Sequence, residues 1–219
     1  MTYQSLLGTR FDSLPIIAIP GNHEYLKGIV KTLPNYWKTI FPNPQNGPAR
    51  FLGTTYFVDF PYLRLIAIDT DGLHRMSDYT QVAFWLKKTL REAGDKFTIV
   101  MMHHPVYSTA KGRQNPLMWL TFYGAMREAD VVFSGHDHNY ARRTEYYKER
   151  FWKKEEPTVF IATNASKKNY PIKENTRYDY SFSGEPVYEY VQITSNALHI
   201  GTYKMHSGEL LDEVKILRN

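Results

Sequence analysis

"DVVFSGHDHNYAR" (residues 130–142) begins as Val131, Val132 and Phe133, an apolar run too short for a helix. Closed by Gly135, it reads as a buried strand. The residues after the glycine are not core material: two imidazoles, His136 and His138, flank the carboxylate of Asp137. Two other stretches have the same form, "IIAIPGNHE" (16–24) and "TIVMMHHP" (98–105), each an apolar strand ending in a histidine-bearing turn. In open α/β sheets, ligands bind outside the carboxyl ends of the strands. Five of the eight histidines (His23, His103, His104, His136 and His138) sit at such ends, whereas His74, His199 and His206 read as ordinary surface or strand residues.

The rest of the chain supplies the frame. Residues 15–19, 55–60, 64–70, 97–102 and 130–134 are predicted strands. Between them, residues 80–94 place Val82, Leu86 and Leu90 on one helical face with lysines and arginines on the other, stopped by Gly94. Residues 116–129 read as a second helix with Pro116 in its first turn. This alternation predicts an α/β sheet with crossover helices. Beyond residue 140, "TVFIAT", "VYEYVQI", "ALHIGTYKM" and "ELLDEVKIL" alternate with period two, which predicts a β-rich second half packed onto an α/β first half. Residues 164–185 read as a long loop, of the kind that is often functional. With no repeat or linker, residues 1–219 are one domain.

The 219 residues, 42% hydrophobic, suffice for one sizeable core. Without cysteine there is neither a disulfide nor a thiolate metal site. The formal charge of +5 suits an anionic substrate, but its clusters (Arg142-Arg143 and Lys148 to Lys154) do not interleave with aromatics as a nucleic-acid module does, so no nucleic-acid partner is expected. No apolar run is long enough to span a bilayer, and residues 1–15 lack the form of a signal peptide.

Taken singly, a strand-end histidine is a structural residue more often than a ligand. Taken together, neutral imidazoles and the Asn22 amide suit a borderline divalent cation such as Zn, Mn or Fe. Gly21 and Gly135 allow tight turns at the ligands, and the one-residue gap lets two imidazoles leave one turn.

Gly21-Asn22-His23-Glu24, then His103-x-Pro105, then Gly135-His136-x-His138, in that order, resemble the last three metal motifs of the calcineurin-like metallophosphoesterase superfamily. His103 to Ser108 and Gly135 to Arg142 are most similar to the purple acid phosphatase group within it. The resemblance covers residues 14 to about 142. It implies an α+β sandwich of two packed β-sheets flanked by helices, and hydrolysis of phosphate esters on small molecules. It also implies two metal ions (Fe, Zn or Mn) in a complete site. By the same resemblance Asn22, His103 and His136 bind the second metal, His138 binds the first, and His23 assists the leaving group. Glu24, His104, Tyr140 and Arg142 take supporting or substrate-side positions, and Asp137 is not a ligand. Relatives of this kind are commonly exported, which favours a periplasmic or extracellular destination.

The family pattern opens with Asp-x-His and Gly-Asp-x-x-Asp or Gly-Asp-x-x-Tyr, and neither is present; Asp12 lacks the glycine and the upstream strand. Two adjacent cations need anionic ligands, and a bridging carboxylate holds the nucleophile in two-metal hydrolysis. The expectation is therefore a domain lacking its first strands and carrying the second-metal half of the site. The alternatives are an inactive remnant binding at most one metal, a phosphodiesterase of the same superfamily, and a structural domain with incidental histidines.

Overall fold

The structure is a computed structural model that describes residues 14–28, 31–146, 157–173 and 177–218. Its first half forms helix α1 (Tyr36–Ile40), strands β1 (Tyr56–Asp59) and β2 (Leu63–Ile68), helix α2 (Met76–Arg91), β3 (Phe97–Met102), helix α3 (Pro116–Met126) and β4 (Val131–Ser134). The second half is all strand: β5 (Tyr140–Glu145), β6 (Thr158–Ala162), β7 (Tyr180–Phe182), β8 (Val187–Ile193), β9 (Ala197–Lys204) and β10 (Leu210–Leu217).

Seven strands make a mixed sheet in the order β1-β2-β3-β4-β6-β5-β7, and β10-β9-β8 make a second, antiparallel sheet. The pairs β2–β3, β3–β4 and β4–β6 are parallel. Because side chains alternate along a strand, each parallel strand serves two cores. Ile66, Ile68, Val100, Met102, Val132 and Phe160 pack with Val82, Leu86 and Leu90 of α2 and Met118 and Phe122 of α3. Phe97, Ile99, Val131, Val159 and Ile161 face the other way, onto Val187, Leu198, Ile200 and Ile216 of the small sheet. The layers are thus helices, large sheet, small sheet. Burying such a side chain is worth about 1.5–3 kcal/mol, which holds α2 down although its outer face is lysine and arginine.

The two longer helices, α2 and α3, have local start signals. The Asp78 carboxylate accepts from the backbone N–H of His74 (3.2 Å) and Arg75 (3.0 Å), so α2 begins earlier than residue 80. The Asn115 side chain accepts from Met118 N–H at 3.2 Å ahead of Pro116, the first residue of α3. Beyond α2, Gly94 takes φ +63°. No described helix is long and apolar enough to cross a membrane.

Three expectations need correction. Residues 15–19 form no strand: Ile16 is exposed, and the Ala18 carbonyl is satisfied by side chains, Tyr56 Oη at 2.9 Å and Asn43 Nδ2 at 3.3 Å. A strand needs a ladder, and none among the described residues runs beside this segment. The second half is not one β-unit either, since β5, β6 and β7 extend the large sheet and only β8–β10 form the second. The 164–185 loop includes β7 and a bridge from Ile172 to Ala110. Asp12 and the basic stretch 148–154 lie outside the described residues.

Candidate metal centre

The parallel register sets Ile68 beside Met102 and Met102 beside Ser134, so β2, β3 and β4 end together. Their next residues are Asp69-Thr70-Asp71, His103-His104 and Gly135-His136-Asp137-His138. At the opposite end, Asp130 Oδ2 accepts from Thr98 N (2.7 Å) and Thr98 Oγ1 (3.0 Å), locking β3 against β4. At the histidine end, Gly135 N donates to the His103 carbonyl at 3.0 Å.

Three donor atoms converge. His103 Nε2 lies 2.7 Å from Asn22 Oδ1 and 3.1 Å from His136 Nδ1. Atoms bound to one cation at about 2.0–2.1 Å stand about 3 Å apart, so this spacing is that of a shared ligand set. The protons give a second argument. Arg113 Nη2 donates to His136 Nε2 at 2.5 Å, which puts the His136 proton on Nδ1, aimed at His103 Nε2. That nitrogen must then accept with its one lone pair, which already faces the Asn22 oxygen. Turning the Asn22 amide over gives the same lone pair two donors. An ion among the three atoms removes the conflict at His103 and moves the His136 proton to Nε2, and the amide and imidazole donors fit a metal.

Each imidazole is held neutral. Burial, reinforced by neighbouring positive groups, pushes His103 down to about 4 and His104 and His136 down to about 3, and it lowers His138. Neutral imidazole is the form that ligates. His103 is also fixed sterically: a Cβ on Gly21 would stand 2.8 Å from its Nδ1 and 2.9 Å from its Cε1. The glycine of Gly-Asn-His-Glu is there for close approach.

The Gly-His-x-His turn works through backbone strain. His136 (φ 69°) and His138 (φ 52°) are the non-glycine residues with positive φ among the described residues. That conformation costs about 1–2 kcal/mol per residue. It is held by Asp137, whose side chain is wholly buried between them. Its Oδ2 accepts from Ser108 Oγ (2.7 Å), Thr109 N (2.6 Å), Thr109 Oγ1 (3.2 Å) and Ala110 N (3.2 Å). Arg113 Nε stands 3.4 Å from its Oδ1. The carboxylate in the motif therefore binds the 108–110 loop.

The remaining candidates take distinct places. His23 is exposed next to Asn22. Glu24 Oε2 accepts from Gly21 N at 2.7 Å and closes the turn. The turn is tied to β2 through Tyr25, whose hydroxyl donates to Asp69 at 2.5 Å. His138 packs against Tyr170, ring centroids 5.1 Å apart and planes tilted by 45°. The His104 ring lies 4.2 Å from that of His136, with its Nδ1 at Thr70 Oγ1 (3.1 Å) and 3.5 Å from Asp71 Oδ2. Tyr140 and Arg142 lie elsewhere: Tyr140 Oη (2.9 Å) and Arg142 Nε (2.7 Å) both donate to Asp212, joining β5 to β10. Two participants had no motif to announce them. Arg113 comes from an otherwise plain loop, and Asp71 is buried beside His104 with neither oxygen hydrogen-bonded among the described residues. No set of three or more His, Asp or Glu side chains among the described residues is grouped to hold a metal ion; the third donor beside His103 and His136 is the Asn22 amide.

Known proteins place the chain in a family. The family model of calcineurin-like phosphoesterases matches residues 2–140. A glycerophosphodiester phosphodiesterase, GpdQ, of Enterobacter lignolyticus (strain SCF1) is 27% identical over 133 residues, 57% of this chain and 45% of its own. The chain thus spans less than half the length of that curated relative. Purple acid phosphatase PPD1 from yellow lupin (Lupinus luteus) seeds superimposes with a TM-score of 0.62 at 18% identity, over 76% of this chain and 33% of that one. The sheet, the order of its motifs and the family match agree: this chain belongs to the calcineurin-like phosphoesterases.

Proposed function

We propose that this chain carries the histidine-rich half of a site that hydrolyses phosphate esters of small molecules with metal ions. The observation that carries the reading is the convergence of Asn22 Oδ1, His103 Nε2 and His136 Nδ1 within 3.1 Å of one another in pairs through His103. Those three residues would hold one divalent or trivalent ion (Fe, Zn or Mn), and His138 would contribute to a second. Such ions supply Lewis-acid polarisation of the phosphoryl group and an acidified water.

The chain's own residues do the rest. Gly21 and the Gly135 N–H hold the His103 ring and backbone in place. Asp137 fixes the turn from which His136 and His138 depart. His23, exposed beside Asn22, gives its imidazole proton to the oxygen of the departing alcohol. The three donors carry no formal charge, so a two-metal site would draw on carboxylates as well. Whether the ester is a monoester, as the lupin fold relative suggests, or a diester, as the name of the Enterobacter relative suggests, is decided by assay.

A second reading, a remnant that binds metal without turnover, draws on the absence of a carboxylate-rich metal set among the described residues. The test is hydrolysis of p-nitrophenyl phosphate and bis-p-nitrophenyl phosphate by the full chain loaded with Mn, Fe or Zn, beside His136→Ala. Turnover that needs metal and His136 supports the proposal. Metal uptake without turnover favours the remnant. No uptake contradicts both.

A further inference from the structure

Arg113 belongs to none of the histidine-bearing motifs, yet its guanidinium is at the centre of the histidine cluster. Nη2 reaches His136 Nε2 at 2.5 Å and the His136 carbonyl at 3.3 Å, and Nε stands 3.4 Å from the buried Asp137 carboxylate. The guanidinium stacks on the Tyr170 ring, 4.5 Å from its centroid, and Lys168 Nζ lies over the same ring at 4.7 Å. Tyr170 in turn packs on His138. Two cations therefore gather about one tyrosine at the edge of the proposed metal site, and both Lys168 and Tyr170 come from the long loop after β6.

The contact between Arg113 and His136 is incompatible with ligation of His136 through Nδ1. An imidazole that ligates through Nδ1 keeps its proton on Nε2. That N–H would then face the guanidinium N–H, donor against donor. Loading the site thus ends this hydrogen bond and leaves Nη2 with a donor to place, while the Tyr170 stack and Asp137 keep the side chain at the site. A guanidinium with donors in a planar fork matches a tetrahedral oxyanion, and a lysine beside it adds a point charge.

We propose that Arg113, assisted by Lys168, is the phosphoryl-binding clamp of this site: with His136 ligated through Nδ1, the guanidinium donates to the phosphate oxygens of the substrate. The clamp rests on the proposed metal site, and the experiment separates the two. Inorganic phosphate is titrated calorimetrically into Mn-loaded full chain, wild type, Arg113→Gln, Arg113→Lys and Lys168→Gln, with metal content measured on the same samples.

Loss of a charged hydrogen bond predicts phosphate affinity about 10- to 100-fold weaker in Arg113→Gln, partly restored in Arg113→Lys, and a smaller loss in Lys168→Gln, all with metal content unchanged. Phosphate affinity in Arg113→Gln within twofold of wild type, at equal metal content, overturns the clamp and leaves the metal site standing. Metal content that falls in Arg113→Gln overturns the clamp too, since Arg113 would then be holding His136 for the metal. A wild-type chain that takes up no metal overturns the metal site and the clamp together.

Discussion

Replacing Asp137 by Asn changes one oxygen to an amide in a side chain with no solvent exposure. In the native protein, Oδ2 accepts four hydrogen bonds, the shortest from Thr109 N at 2.6 Å and Ser108 Oγ at 2.7 Å. An asparagine oxygen can keep those donors, but each drops from a charge-assisted bond to a neutral one, a difference of about 1 kcal/mol. The two short bonds together account for about 2 kcal/mol. The new Nδ2 then faces Arg113 Nε, now 3.4 Å from Oδ1, donor against donor, and the guanidinium loses its buried counter-charge. This adds a loss of about 1 kcal/mol. The expected destabilisation is about 3 kcal/mol, or about 6–12 °C in the melting temperature of a chain this size. Urea unfolding of the metal-free protein measures it. Because Asp137 also holds His136 and His138 in the left-handed region, metal affinity should fall with stability. A variant within 1 kcal/mol of wild type (about fivefold in the unfolding equilibrium) would refute the claim that this carboxylate organises the turn.

Other positions give equally direct outcomes. Gly21→Ala puts a methyl 2.8 Å from His103 Nδ1, and since that ring is pinned by its partners the overpacking should cost about 1–3 kcal/mol and weaken metal binding at least about tenfold; calorimetry showing native metal affinity would count against the steric argument. Asp212→Ala removes the acceptor of Tyr140 and Arg142 and should cost about 2–3 kcal/mol while metal content stays as in wild type, so a loss of metal would place those two residues at the site after all. Burial, opposed by Lys31 and helped by Asp69 and Glu24, pushes the Asp71 carboxyl up to about 7. The folded chain therefore holds this proton more tightly than the unfolded one between the ordinary carboxylate range and about 7, and the stability it contributes at low pH is lost as pH rises through that window. Asp71→Asn should gain on wild type by about 1–3 kcal/mol between pH 5 and pH 8 in the metal-free protein, and a pH-independent difference would contradict the assignment.

What could be read in advance depended on the range of the interactions. Strands β3, β4, β6 and β8 declare themselves because they are apolar on both faces or alternate strictly, and both depend only on neighbours along the chain. The turns at Asn22, His103 and His136 were legible because ligand chemistry forces a few residue types into short spacings. Residues 15–19 failed for the opposite reason: apolar composition suits a strand, but a strand exists only with a partner, and composition does not supply one. Strand β5 was hidden because Tyr140 to Glu145 read as the tail of a metal motif, whereas Tyr140 and Arg142 are used to reach Asp212, some 70 residues away. Arg113 and Asp71 carry no local signal; each gains its place from contacts that only the folded chain makes.

The same logic separates the two carboxylates of the motifs. Glu24 and Asp137 stand beside ligands in sequence, yet both are spent on backbone N–H groups, Gly21 in one case and Thr109 and Ala110 in the other. They shape the turns that aim the imidazoles. The donors that the structure brings together are the amide of Asn22 and the imidazoles of His103 and His136.

The most direct measurement is metal content per chain, by elemental analysis of the full protein purified in Mn, Fe and Zn and freed of loose ions, with His103→Ala and His136→Ala beside it. The account predicts one ion held by the wild type and lost in both variants. Metal content that is zero in the wild type, or unchanged when His103 or His136 is removed, would contradict it.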